Sequence, residues 1–140
     1  MSTVQVSAKW TGEALDFVGA DTRHNQIKMS GKGGSDASPS QLMLLGLAGC
    51  TGMDVVSILQ KKRQKISDVE VLVIGHQPDD YPKPYHKIQL HFIVRGEDLD
   101  ADAVERAIQL SDDKYCVVGQ TLKMNVDIKT SFKIEPVESA

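Results

Sequence analysis

Ser38-Pro39-Ser40-Gln41-Leu42-Met43-Leu44-Leu45-Gly46-Leu47-Ala48-Gly49-Cys50-Thr51-Gly52-Met53-Asp54 is the stretch on which the fold turns. Ser38 offers a hydroxyl to cap a helix, Pro39 suits the first helical position, and Gln41 completes a Ser-x-x-Gln capping box. From Leu42 to Ala48 the chain is apolar on every side, so the helix is expected to be buried all round and to run past Leu59, turning polar at Gln60. A single sheet covers only one of its faces, and a second copy of the chain is expected to cover the rest. Gly46, Gly49 and Gly52 fall three apart and together cost about 3 kcal/mol against alanine in a helix interior. That cost is tolerable where another backbone comes close. The alternative is tight packing on the chain's own sheet.

Strand patterns lie on either side. Val4, Val6, Ala8 and Trp10 alternate with polar residues, Thr11-Gly12 turns the chain into a strand with Leu15 and Phe17, and a third strand covers Gln26 to Met29. The loop Gly31-Lys32-Gly33-Gly34-Ser35-Asp36 lacks the Lys-Ser/Thr ending of a phosphate-binding loop. Beyond the helix, Val69, Val71 and Val73 mark a fourth strand and Ile88, Leu90, Phe92 and Val94 a fifth. Pro78, Pro82 and Pro84 between them cannot sit inside a ladder and read as a long turn. Asp100 caps an amphipathic helix with Ala103, Val104, Ala107, Ile108 and Leu110 inside. Met124, Val126, Ile128, Thr130, Phe132 and Ile134 form one face of a sixth strand. The order is α+β with antiparallel pairing, in a single domain over 1–140.

The chain has 140 residues, 41% of them hydrophobic, enough for a real core. A net charge of −3 argues against a nucleic-acid surface. The run Lys61-Lys62-Arg63-Gln64-Lys65 fits a helix C-terminus, where cations suit the dipole. Met1 to Ser7 carries no signal-peptide pattern. The apolar run Leu42–Met53 stops at Asp54, well short of the roughly 20 residues a membrane span needs. The expected location is the cytoplasm, where a permanent disulfide is improbable and cysteines read as reactive, metal-binding or simply buried.

The only two cysteines, Cys50 and Cys116, stand 66 residues apart. Asp112-Asp113 is expected to cap a helix with Cys116 in its first turn, where the dipole favours a thiolate. Cys50 lies about three turns inside its helix, where burial keeps it protonated and Asp54, at i+4, disfavours the anion further. A reactive Cys50 therefore needs a cation. Arg23 and Arg95 are the non-helical arginines; Arg23, in the turn before the third strand, is the first choice, held by Asp54. The plain alternative is a cysteine packed inertly in an apolar helix. His24, His76, His86 and His91 make no compact ligand spacing with the cysteines, so neither a metal nor another cofactor is expected.

Ser38-Pro39-x-Gln41-Leu42, running into Leu47-Ala48-Gly49-Cys50-Thr51 and followed by Lys114-Tyr115-Cys116, resembles the OsmC/Ohr family over nearly the whole chain. These are the osmotically inducible and organic-hydroperoxide-resistance proteins. The resemblance implies antiparallel sheets wrapped around the cysteine-bearing helix, in an intertwined homodimer with two active sites at its interface. It also implies thiol peroxidase chemistry in oxidative-stress defence. Cys50 attacks the O–O bond of an organic hydroperoxide, Cys116 closes a disulfide on the resulting sulfenic acid, and Arg23 stabilises the charges. An external dithiol, lipoyl-type or another small thiol or thiol protein, then reduces the pair. Ohr-type members carry a glutamate where this chain has Ser40, so Asp36 or Asp54 would have to position the arginine. That departure looks like a divergent OsmC-like branch. The alternative from another class is a non-enzymatic dimer that binds a hydrophobic ligand or senses redox state.

Overall fold

A computed structural model describes residues 1–136; the last four residues of the expected domain lie outside it. Ser38 caps helix α1 (Pro39–Lys61), its hydroxyl accepting the Gln41 N–H, with Pro39 in the first turn. At its far end Arg63 adopts a left-handed backbone with φ +57°. The Arg63 N–H bonds the Gln60 carbonyl and the Gln64 N–H bonds that of Leu59, both at 3.0 Å. This is a Schellman stop with arginine in the place usually taken by glycine. The Gln64 side chain then accepts the Asp100 N–H at 2.9 Å, and Asp100 caps α2 (Ala101–Leu110). The end of one helix is thereby tied to the start of the next.

Strands β4 (Lys65–His76) and β5 (Lys87–Glu97) form a long antiparallel hairpin, in register from Lys65 opposite Glu97 to His76 opposite Lys87, with an irregularity at Ile66/Asp68. Helix α1 packs on β4 and against α2. Only Leu47, Thr51, Val55 and Leu59 of α1 are buried, four residues apart on one stripe. Val55 and Leu59 meet Ala103 and Ala107 of α2, and Val69, Phe92 and Val94 of the hairpin close the core.

Within the single chain the helix is therefore covered on one face. Leu45 is 61% and Met53 74% exposed. A methyl group added at Gly46 or Gly49 would meet nothing within 4 Å, whereas at Gly52 it would press on Val71 at 3.3 Å. Of the three glycines, only Gly52 answers to close packing on the chain's own sheet. By length and composition α1 could cross a bilayer. Its buried stripe is nevertheless engaged by β4 and α2, the environment of a core helix.

Strands β1 (Ser7–Trp10), β2 (Phe17–Ala20) and β3 (Gln26–Met29) make a separate antiparallel meander. Of the six strands expected in one sheet, five form, in two sheets of three and of two strands. The meander joins α1 through the Gly31–Asp36 loop, closed by a bridge between Met29 and Ala37, and makes no extended contact with the helix. The strand expected over Met124–Ile134 does not form. A strand needs a neighbour to take its N–H and C=O groups, and this segment pairs with none among the described residues. Its apolar stripe stands in the open, with Phe132 87% exposed.

Candidate functional site

After α2 the backbone tightens into a π-helical turn (Ser111–Tyr115) and enters the short helix α3 (Val117–Leu122). Cys116 is the N-cap of α3, its sulfur accepting the Gly119 N–H at 3.2 Å. The expected geometry was Asp112-Asp113 capping with Cys116 one turn in. The acidic pair instead sits inside the π turn, where the Asp112 carboxylate and carbonyl take the Lys123 ammonium at 2.8 and 2.7 Å. That clamp holds α3 against the turn and fixes the cysteine it carries.

This arrangement brings the two cysteines together. The sulfurs of Cys50 and Cys116 and a carboxylate oxygen of Asp54 all lie within 4.8 Å of one another. Cys50 and Asp54 share a face of α1 because they are four residues apart. The Ser111 hydroxyl donates to Asp54 Oδ2 at 2.8 Å, so among the described residues the hydrogen-bond partner of Asp54 is a serine from the π turn. Cysteines are free, Cys50 half-buried and Cys116 only 1% exposed.

Burial pushes the Cys116 thiol above its ordinary pKa; contact with Cys50 and the negative field of Cys50 and Asp54 add to this, against the Gly119 N–H. The expected activation of Cys116 by a helix N-terminus is thus outweighed. One backbone N–H cannot replace the hydration lost by a thiolate in so closed a place.

A cavity of about 290 Å³ reaches Cys116 beside Leu47, Thr51, His86 and Lys123. A larger open groove of about 580 Å³ follows the uncovered face of α1 along Leu45, Gly49, Met53 and Val56, with Val71 of β4. The groove is apolar and holds neither sulfur in its lining; it belongs to the unburied side of the helix.

Arg23 stands in the β2–β3 turn, its N–H and that of Asn25 both bonded to the Asp21 carboxylate at 2.9 Å. No ion pair or hydrogen bond among the described residues joins its guanidinium to Asp36, Asp54 or either cysteine. Arg95 is committed elsewhere, paired with Asp68 and with Glu70 at 3.3 Å on the hairpin, and these carboxylates raise its pKa. Asp36 is bound to Ser30, and Ser40 makes a hydroxyl contact with Ser38 at 3.1 Å. His76 pairs with Gln89, while His86 lines the cavity but does not join the three-residue cluster.

The residues missed in the sequence are Ser111 and Gly119. Ser111 had left a signal: it continues the inner stripe of α2, four residues after Ala107, and a polar side chain at a buried helical position needs a partner.

Comparison with known proteins places these features in a family. A family model described as OsmC-like protein matches residues 31–131. Protein YhfA of Escherichia coli (strain K12) is 42% identical over 132 residues, covering 94% of this chain and 98% of that protein. An OsmC-like protein from Mycoplasma pneumoniae superposes with a TM-score of 0.73 at 18% identity, covering 87% of this chain and 88% of that one. The organic hydroperoxide resistance protein OhrB of Bacillus subtilis does so with a TM-score of 0.58 at 19% identity, covering 91% and 96%. The overall architecture is therefore shared with these proteins, and the chain belongs to the OsmC-like protein family.

Proposed function

We propose that this protein is a cytoplasmic thiol-dependent peroxidase that reduces organic hydroperoxides as a homodimer. The observation that carries the reading is the meeting of Cys50 and Cys116 beside Asp54, from elements 66 residues apart in sequence. Cys50 attacks the distal oxygen of the hydroperoxide; the O–O bond breaks, the sulfur becomes a sulfenic acid and the alcohol leaves with a proton. Cys116 attacks that sulfenic sulfur, water leaves, and a Cys50–Cys116 disulfide remains. A dithiol, of lipoyl type or a thiol protein, supplies two electrons and two protons to restore both thiols. The Cys116 thiol, held protonated by burial, leaves the half-buried Cys50 to react first.

The second copy has a place in this reading. The uncovered face of α1, with Gly46 and Gly49 open and Leu45 and Met53 exposed, supports helix-to-helix contact across a dimer axis. The unpaired stripe Val126, Ile128, Phe132 and Ile134 supports strand exchange with a partner sheet. The β1–β3 meander, detached from its own α1, would then deliver Arg23 to the neighbour's Cys50. There a guanidinium stabilises the thiolate and the departing oxygen.

The reading is tested by adding one equivalent of cumene hydroperoxide to the reduced protein and mapping the product by peptide mass spectrometry. A Cys50–Cys116 disulfide is expected. Two unmodified cysteines would favour a non-enzymatic dimer that uses the apolar groove of α1 to bind a hydrophobic ligand.

A further inference from the structure

We propose that Cys50, Asp54 and Cys116 form a binding site for Zn²⁺, which occupies the reduced thiol pair and withholds it from oxidation. The spacing of the histidines had argued against any metal, but the folded chain assembles a ligand set that no short motif displays. Cys50 and Asp54 project from one face of α1 at i and i+4, the spacing by which a helix offers two ligands to one zinc ion. Cys116 supplies a third ligand from the start of α3, and all three donor atoms lie within 4.8 Å of one another. Tetrahedral zinc, with bonds of about 2.3 Å to sulfur and about 2.0 Å to oxygen, sets its donors roughly 3.5–3.8 Å apart. Side-chain rotation of about an ångström closes that difference.

The surroundings are those a metal ligand needs. The Ser111 hydroxyl orients Asp54 through Oδ2 at 2.8 Å and leaves the other carboxylate oxygen free to bind. The Gly119 N–H at 3.2 Å supports negative charge on the Cys116 sulfur. Such outer contacts commonly change metal affinity by about 10–100-fold. Two thiolates and a carboxylate select a borderline-soft cation over magnesium or calcium. On binding, two thiol protons leave, and the ion with its three ligands carries one net negative charge. The fourth coordination position is filled by water or a small thiol from the cavity that Cys116 lines.

Cobalt(II) is the probe, because a tetrahedral cobalt–thiolate centre absorbs strongly in the near ultraviolet and zinc itself is silent. The metal-free, fully reduced full-length protein is titrated with Co²⁺, then with Zn²⁺. One Co²⁺ per chain with a thiolate charge-transfer band, bleached by one Zn²⁺, is expected. Cys116→Ser should weaken the band and Asp54→Asn should lower affinity at least tenfold. Absence of the band in the reduced wild type overturns the site, without reliance on the folding of any variant. So does a band that both substitutions leave unchanged. The titration uses no peroxide, so its outcome and that of the peroxidase reading are independent.

Discussion

The Ser111 hydroxyl donates to Asp54 at 2.8 Å, joining the π turn that precedes Cys116 to the helix that carries Cys50. Ser111 is fully buried, so this one bond fixes the distance between the two arms of the site. Removing the hydroxyl leaves a part-buried carboxylate short of a donor. Ser111→Ala is expected to cost about 1.5–3 kcal/mol, the range for hydrogen bonds to charged groups. Asp54→Asn, which keeps an acceptor oxygen, is expected to cost less. Urea denaturation of the reduced proteins checks both, and equal losses would show that the bond's whole value rests on the charge.

Burial and the neighbouring Cys50 hold the Cys116 pKa above its ordinary value. The folded state thus keeps a proton that the unfolded state releases. This contribution to stability is complete below the ordinary thiol range and is lost as pH rises from there through the folded pKa. The reduced protein, in the presence of a chelator, should show a thermal midpoint that falls as pH is raised above the ordinary thiol range. Cys116→Ser should flatten that decline.

Arg63 takes a left-handed backbone at the end of α1, with φ +57°. A residue bearing a β-carbon meets a penalty of about 1–2 kcal/mol there, part of which glycine loses again to chain entropy when unfolded. Arg63→Gly is expected to raise stability by up to about 1 kcal/mol, read as a higher denaturation midpoint at unchanged slope. A loss would mean that the arginine side chain makes a stabilising contact in the assembled protein.

The fold was legible wherever local chemistry and burial agreed. Ser38 with Pro39 marked the start of α1, the Asp100 cap and the stripe Ala103–Ala107 marked α2, and the prolines between Pro78 and Pro84 marked the connection in the hairpin. A pattern of side chains says what must be covered and not what covers it. The apolar circumference of α1 read as more than a single sheet covers, and its own chain covers one stripe. The alternation from Met124 to Ile134 was misread as a strand, since no strand edge among the described residues pairs with it. The site was legible in its cysteines. The Ser111–Asp54 bond and the Cys116 cap were hidden because Asp112-Asp113 is the stronger capping signal taken alone.

The homodimer of the proposed mechanism makes its own prediction at Met53, 74% exposed on the bare face of α1. Burying a charge in an apolar interface is costly. Met53→Glu should shift the protein from dimer to monomer in sedimentation velocity and lower peroxidase turnover with it. A wild type that sediments as a monomer at micromolar concentration would contradict the dimer.

The central claim, that the Cys50–Cys116 pair reduces organic hydroperoxides, is tested most directly by steady-state turnover. Cumene hydroperoxide is supplied to the pure protein with a dithiol as reductant, beside Cys50→Ser and Cys116→Ser. Multiple turnovers in the wild type are expected, abolished in Cys50→Ser. In Cys116→Ser the first oxidation should persist, with a sulfenic acid accumulating on Cys50. A wild type without turnover, or a Cys50→Ser variant as active as the wild type, would contradict the account.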